Sequence, residues 1–228
     1  MAMSQKQEIF TLLGGRVKMY RGNYNPTSDA VWLAAAAGDV PAQTVLDVGI
    51  GTGGAALCLH AHNPGAEYFG IDTSESMLEM LTANASLNNV PLKSALADIN
   101  TWKTDKTFDL VITNPPYFKG TPATHGAHHN ADLGAWTRRC LARTRPRGTF
   151  CIITDAATGA EVISACHRVC GDINIYPLHG ARPSAERIII RARVGTHGPT
   201  VFHAPLSMNN SAVLRDGLTI SAALARLS

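Results

Sequence analysis

Charge is scarce in this chain. Lysine, arginine, aspartate and glutamate make up 16% of the 228 residues, with no block of one sign and no low-complexity tract, which excludes a disordered chain or a polyelectrolyte tail. Long apolar runs are also missing. The longest, residues 31–37, falls far short of the roughly 20 residues that a membrane-spanning helix needs. The opening MAMSQKQEIF has no apolar signal-peptide core, so the expected location is the cytoplasm. Cysteine is sparse and odd in number. Cys58, Cys140, Cys151, Cys166 and Cys170 include no C-x-x-C pair and sit in apolar stretches, which excludes a disulfide framework and points to reduced, buried thiols. Metal-ligand spacing is absent too. His125, His128 and His129 stand close together, but no carboxylate or cysteine completes a ligand set, so no metal is expected.

What remains is an ordinary globular composition, 45% hydrophobic, in a length that suits one domain. Such a domain buries roughly 70% of its unfolded surface without disulfides or metal. The charge that is present is unevenly divided. Residues 1–137 carry 8 basic and 12 acidic groups, whereas residues 138–228 carry 12 basic groups, all arginine, against 5 acidic ones. An arginine-rich half suits a polyanion, because the planar guanidinium fork donates two parallel hydrogen bonds to a phosphate. Its plainer alternative is a solvated face.

Periodicity along the chain predicts strands alternating with helices. A helix over residues 31–37, with Ser28 or Asp29 as cap, is followed by strands over 44–48, 68–71, 94–97, 108–113 and 149–154, and by a helix beginning near Ala55 and helices over 74–87, 133–141 and 160–170. Two final strands are expected over 174–176 and 187–191, and the tail after Val194 shows weak periodicity. Alternation of this kind means an α/β fold with a mostly parallel sheet covered on both faces, binding its ligand beyond the strand carboxyl ends.

Strand ends are where the chemistry concentrates. Gly49, Gly51, Gly53 and Gly54 follow the first strand, and Asp72 with Thr73 closes the second. Glycine loop, helix and strand-end carboxylate hold an adenosine-bearing ligand, the backbone facing the ligand and the acid gripping a ribose. Gly49, Gly51 and Gly54 also satisfy the G-x-G-x-x-G spacing of a dinucleotide site, which keeps a nicotinamide oxidoreductase open. Asp47, before the loop, disfavours a pyrophosphate and suits a cationic amino-acid tail. Asp98 ends the third strand, placed to accept from an adenine amino group, and Ile99 offers the ring an apolar contact.

Asn114-Pro-Pro-Tyr ends the fourth strand. An exocyclic amine on a base is a poor nucleophile, because its lone pair is delocalised into the ring. The Asn114 side-chain oxygen and the Pro115 carbonyl can each accept one amino hydrogen, leaving the lone pair directed at an electrophile. Pro116 holds Pro115 extended, and Tyr117 supplies an aromatic face on which a base can stack. Phe118, Lys119 and His128 follow in the loop that would face the substrate. Arg182, Arg187 and Arg191 are the candidate phosphate contacts in the basic half.

Val45-Leu-Asp-Val-Gly-Ile-Gly-Thr-Gly-Gly, Gly70-Ile-Asp, Ala97-Asp and Asn114-Pro-Pro-Tyr-Phe together resemble class I S-adenosylmethionine-dependent amino-methyltransferases. Leu13-Gly-Gly-Arg-Val-Lys, Asp29-Ala-Val-Trp-Leu-Ala-Ala-Ala, Asp132-Leu-Gly-Ala-Trp and Arg182-Pro-Ser-Ala-Glu-Arg resemble the bacterial tRNA1(Val) adenine-37 N6-methyltransferase family. This likeness runs from about Phe10 to Val194. It implies a Rossmann-like, seven-stranded sheet ending in an antiparallel hairpin, S-adenosyl-L-methionine as cofactor and tRNA as partner. By the same likeness Asp29 borders the methionine end of the cofactor, Asp72 the ribose, Asp98 the adenine, and Asn114 to Tyr117 the target amine. One departure is Asn25-Pro-Thr-Ser-Asp, which replaces the arginine- or glycine-bearing approach usual before that aspartate. The expected organisation is a single domain: a capping segment over 1–43, a catalytic core over 44–194 and a tail over 195–228. Two other readings stay open. A protein glutamine N5-methyltransferase faces the same lone-pair problem, although the 43 residues before the first strand leave little room for the helical domain such enzymes carry. An RNA-binding module that keeps the cofactor pocket without catalysis is the second.

Overall fold

The computed structural model of the protein describes residues 8–116 and 132–227. An N-terminal hairpin, β1 (Ile9–Leu12) and β2 (Val17–Tyr20), leads into α1 (Ser28–Ala37). The core follows in strict alternation: β3 (Thr44–Val48), α2 (Gly54–His60), β4 (Glu67–Asp72), α3 (Glu75–Leu87), β5 (Leu92–Leu96) and β6 (Phe108–Thr113). After α4 (Leu133–Arg143) come β7 (Thr144–Asp155), α5 (Gly159–Cys166), β8 (Cys170–His179) and β9 (Ala185–Val194). The tail adds β10 (Thr200–Phe202), β11 (Leu206–Ser207), α6 (Ser211–Leu214) and α7 (Ile220–Leu224).

The sheet order is β10-β8-β9-β7-β6-β3-β4-β5, with β11 also paired to β8. Strands β3 to β7 run parallel, and β9 lies antiparallel between β7 and β8. This is the α/β fold expected from the alternation, with the hairpin where the resemblance put it. The direction of strand addition reverses between the parallel neighbours β3 and β6: successive strands step outward through β4 and β5 on one side, and through β6 and β7 on the other. Ligands bind α/β sheets at such a switch point, because the two neighbouring loops diverge there and open a crevice.

Helices cover both faces. One core cluster joins α1, α2 and the tail helices to residues such as Val45, Leu110 and Ile189, and the other joins α4 and α5 to Leu46, Val111 and Ile190. Helix α1 is apolar all round and accordingly buried from Asp29 through Ala37. Its N-cap is Thr27, whose hydroxyl accepts from the Asp29 N–H at 3.3 Å, one position before the expected Ser28 or Asp29. All five cysteines are free and buried. Among the described residues no helix is long and apolar enough to cross a membrane.

Several strands run longer than expected, among them β7, which starts at Thr144, and β8, which starts at Cys170. The helix expected to reach Cys170 stops at Cys166, since Cys170 pairs with Val194 and starts β8; the turn-spaced cysteines imitate a helical repeat that sheet pairing overrides. The tail, lacking periodicity, is ordered by pairing and burial. β10 adds to β8 through three residue pairs, and Val213, Ile220 and Ala223 bury against α1.

The N-terminal hairpin is fastened to the core through α3. Asn84, fully buried, accepts the Tyr20 N–H at 2.9 Å and donates to the Thr52 carbonyl at 3.0 Å, while Asn88 exchanges hydrogen bonds with both backbone groups of Lys18. Asn84→Ala strands the buried Thr52 carbonyl and the part-buried Tyr20 N–H and is expected to cost about 2 kcal/mol of stability, read as a lower urea midpoint. A loss within experimental error would mean that the hairpin is held by packing alone.

Candidate active site

Strand register sets the site. Val48 pairs with Thr113 on one side and with Ile71 on the other, and Asp72 pairs with Leu96. The residues just beyond these pairs therefore form a row along the sheet edge: Asn114, the glycine loop, Asp72, and then Asp98. With strands about 4.8 Å apart, the row from β6 to β5 spans roughly 14 Å, the scale of an extended adenosyl amino acid.

The loop itself turns on left-handed backbone, with φ of 73° at Gly49, 55° at Gly51 and 92° at Gly53, which a side chain would strain. It is tied to β4 twice. The Ile71 carbonyl accepts from the N–H groups of Gly49 and Ile50, and Asp72 Oδ2 accepts the Gly51 N–H at 2.8 Å. Asp72 Oδ1 accepts the Ser74 N–H at 2.9 Å, so the carboxylate is rigid but keeps lone pairs for ribose hydroxyls. Thr73 beside it is exposed. Asp98 is half-buried and braced by Asn100, whose backbone and side-chain N–H groups both reach its Oδ1. Ile99 is only 4% exposed and packs in the core with Leu46 and Ile71, so the apolar contact expected of it is largely spent inside the protein.

Asp47 is the most perturbed acid. It lies fully inside, its Oδ2 lacks a hydrogen-bond partner, and burial, reinforced by the Asp72 charge and opposed by the Ala56 N–H, pushes its carboxyl up to about 8. An amino-acid tail bearing an ammonium group suits such an orphaned oxygen.

At the β6 end, Asn114 is half-buried, Pro115 buried and Pro116 exposed. Tyr117, Phe118, Lys119, His125, His128 and His129 lie outside the described residues. The strand end behind Asn114 is held by a residue that reads from sequence as a packing anchor. Trp136 Nε1 donates to Thr113 Oγ1 at 3.1 Å, and Thr113 in turn donates to the Val48 carbonyl at 2.8 Å. The same indole faces Gly49, where a Cβ would lie 3.6 Å from Trp136 Cζ2. Trp136 thus joins the glycine loop to the strand that carries Asn114.

Two of the three candidate phosphate arginines are turned inward. Arg187 Nε donates to Asp29 Oδ2 at 3.0 Å and its Nη1 to Asp155 Oδ1 at 2.5 Å, with 22% of its side chain exposed. Arg191 donates to the Ala36 carbonyl at 2.8 Å and stacks over Tyr176. The phosphate role expected of Arg187 and Arg191 is therefore corrected: composition records charge, not the partners that consume it. Arg182, in the turn between β8 and β9, is exposed.

Sequence reasoning also missed Tyr24. It is 49% exposed and stands over Gly51, its Cε1 3.9 Å from where a Cβ there would be. Its hydroxyl is raised above the usual phenol range by burial, then by the charges of Asp29 and Asp72. The signal was the departure at Asn25-Pro26: Pro26 fits against Gly54 so closely that a Cβ there would meet it at 2.5 Å, which lays the segment across the loop.

The cost of Asp47 is measurable. Its folded value lies above the unfolded one, so the stability it contributes is full in acid and is lost as pH rises toward 8. Asp47→Asn, which cannot ionise, is expected to gain thermal stability over the parent at pH 8, with the gain vanishing near pH 4, and to bind S-adenosylhomocysteine more weakly. A pH-independent difference between the two melting curves would contradict the assignment.

Residues 31–169 match the family model described as methyltransferase small domain. Among curated proteins, the chain is 27% identical over 177 residues to a tRNA1(Val) (adenine(37)-N6)-methyltransferase of Flavobacteriaceae bacterium (strain 3519-10), covering 71% of this chain and 77% of that one. It is 34% identical over 82 residues to a release factor glutamine methyltransferase of Aliivibrio fischeri, covering 35% of this chain and 28% of that one. A crystal structure of a predicted O-methyltransferase from Agrobacterium tumefaciens aligns with a TM-score of 0.66 at 26% identity, over 79% of this chain and 88% of that one. These matches make the chain a member of the methyltransferase small domain family and an S-adenosylmethionine-dependent methyltransferase.

Proposed function

We propose that the protein methylates the N6 amine of an adenine in tRNA, at position 37 beside the anticodon. The observation that carries this reading is the pairing of Val48 with Thr113, which sets the acceptors of Asn114 and Pro115 beside the glycine loop. When bound, S-adenosylmethionine supplies a methyl group already activated on a sulfonium. The protein's own task is then to hold the amine. Asn114 Oδ1 and the Pro115 carbonyl each accept a hydrogen bond from one amino N–H, which pyramidalises the nitrogen and directs its lone pair across the gap; once the nitrogen carries the methyl group, one of its protons is lost to solvent. Tyr117 is assigned to stacking on the flipped base, and Phe118, Lys119 and His128 to contact with the substrate; all four lie outside the described residues. Asp72 holds the ribose, Asp98 the adenine amino group, and Asp29 and Asp47 the cationic end of the tail. Exposed Arg182 meets phosphate at the rim. Residues 1–43 cap the cofactor and substrate, 44–194 form the catalytic core, and 195–228 buttress α1.

An amide nitrogen presents the same difficulty, and the partial likeness to a release factor glutamine methyltransferase supports protein glutamine as the second reading. Nucleoside mass spectrometry separates the two. Incubation with S-adenosylmethionine and tRNA lacking the modification is expected to yield N6-methyladenosine, and Asn114→Ala to slow the reaction about 10²–10³-fold with S-adenosylhomocysteine affinity retained. Methyl transfer to a protein glutamine with unmodified tRNA overturns the substrate; unchanged turnover in Asn114→Ala overturns the role of the asparagine.

A further inference from the structure

Arg187 belongs to a motif, Arg182-Pro-Ser-Ala-Glu-Arg, that phosphate recognition no longer explains. Its guanidinium bridges two carboxylates on different elements, Asp29 in the first turn of α1 and Asp155 at the end of β7. Only 5% of the Asp29 side chain is exposed, against 38% for Asp155. Enclosing a carboxylate removes its water partners, which a charged hydrogen-bond donor can replace, and Arg187 Nε supplies one at 3.0 Å. The first turn of α1 also packs on the glycine loop: a Cβ at Gly54 would stand 3.4 Å from Ala30 Cβ, the residue that follows Asp29.

We propose that Arg187 is a positioning residue of the methyl-donor pocket: it holds the Asp29 carboxylate aimed at the ammonium end of the donor, while Asp155 anchors Arg187 from behind. This rests on the reading that Asp29 borders the methionine end of the donor. Arg187 fixes the carboxylate in two ways. Its Nε–H bond sets the Oδ2 direction, and its charge offsets the desolvation of Asp29. The outer carboxylate, Asp155, accepts from Nη1, so the guanidinium fork is held between β7 and β9 and does not swing toward the ligand. The donor affinity is thereby tied to the sheet edge formed by β7 and β9, which does not belong to the glycine-loop half of the fold.

Two ligands test this by calorimetry, S-adenosylhomocysteine and 5′-methylthioadenosine, which lacks the amino-acid end. Arg187→Ala is expected to weaken the first about tenfold, an ordinary size for a coupling between groups, and to leave the second unchanged. Asp29→Asn should give the same pattern, and the double variant should bind no worse than Asp29→Asn alone. If Arg187→Ala does not fold, Arg187→Lys, which keeps charge without the fork, must show the same selective loss. Equal losses for both ligands would mean a structural role, additive losses with Asp29→Asn a direct contact with the donor, and intact S-adenosylhomocysteine binding with weakened tRNA binding a phosphate contact; each overturns the proposal. Should Asp29→Asn itself leave S-adenosylhomocysteine binding untouched, the underlying reading of Asp29 falls instead, whatever Arg187 does.

Discussion

Everything at the site depends on the lateral pairing of β3 with β6, two parallel strands that end side by side where the sheet reverses its direction of growth. Because Val48 and Thr113 are in register, the glycine loop and the segment that opens with Asn114 start from adjacent points. The Trp136–Thr113–Val48 chain of hydrogen bonds locks that register at its last rung. A slip of one residue would reverse the faces of β6 and turn Asn114 away.

A second constraint is electrostatic. Asp29, Asp47 and Asp72 sit in or near the lip, two of them buried, and a site lined with carboxylates suits a ligand that is cationic at its amino-acid tail and at its sulfur. The protein tolerates this concentration of like charge in different ways at each position. Asp72 is satisfied by backbone N–H groups, Asp29 is paired with Arg187, and Asp47 holds its proton near neutrality. Acids that are individually costly to the free fold are the groups the bound donor would relieve, a common exchange of stability for function.

The sequence made the core legible because its strands are short apolar runs ended by informative residues: Gly49 after β3, Asp72 after β4, Asp98 beyond β5 and Asn114 after β6. Turn chemistry and strand ends coincide there, so local pattern and function point the same way. Besides Tyr24, three features did not show. Arg187 and Arg191 read as surface charge because their partners, Asp29, Asp155 and the Ala36 carbonyl, are more than thirty residues distant or on other elements. Trp136 read as packing because a helix-borne indole gives no hint of the hydroxyl it meets. The tail after Val194 carries no period because its short strands and helices are shaped by β8 and α1 rather than by their own amphipathicity.

Holding the amine is the central claim, and a crystal structure with S-adenosylhomocysteine and adenosine tests it most directly. The account predicts Asn114 Oδ1 and the Pro115 carbonyl oxygen each within about 3.2 Å of the adenine N6, with that nitrogen facing the ligand sulfur. An Asn114 amide turned into the protein interior, or an adenine whose amine is bonded elsewhere, would contradict it.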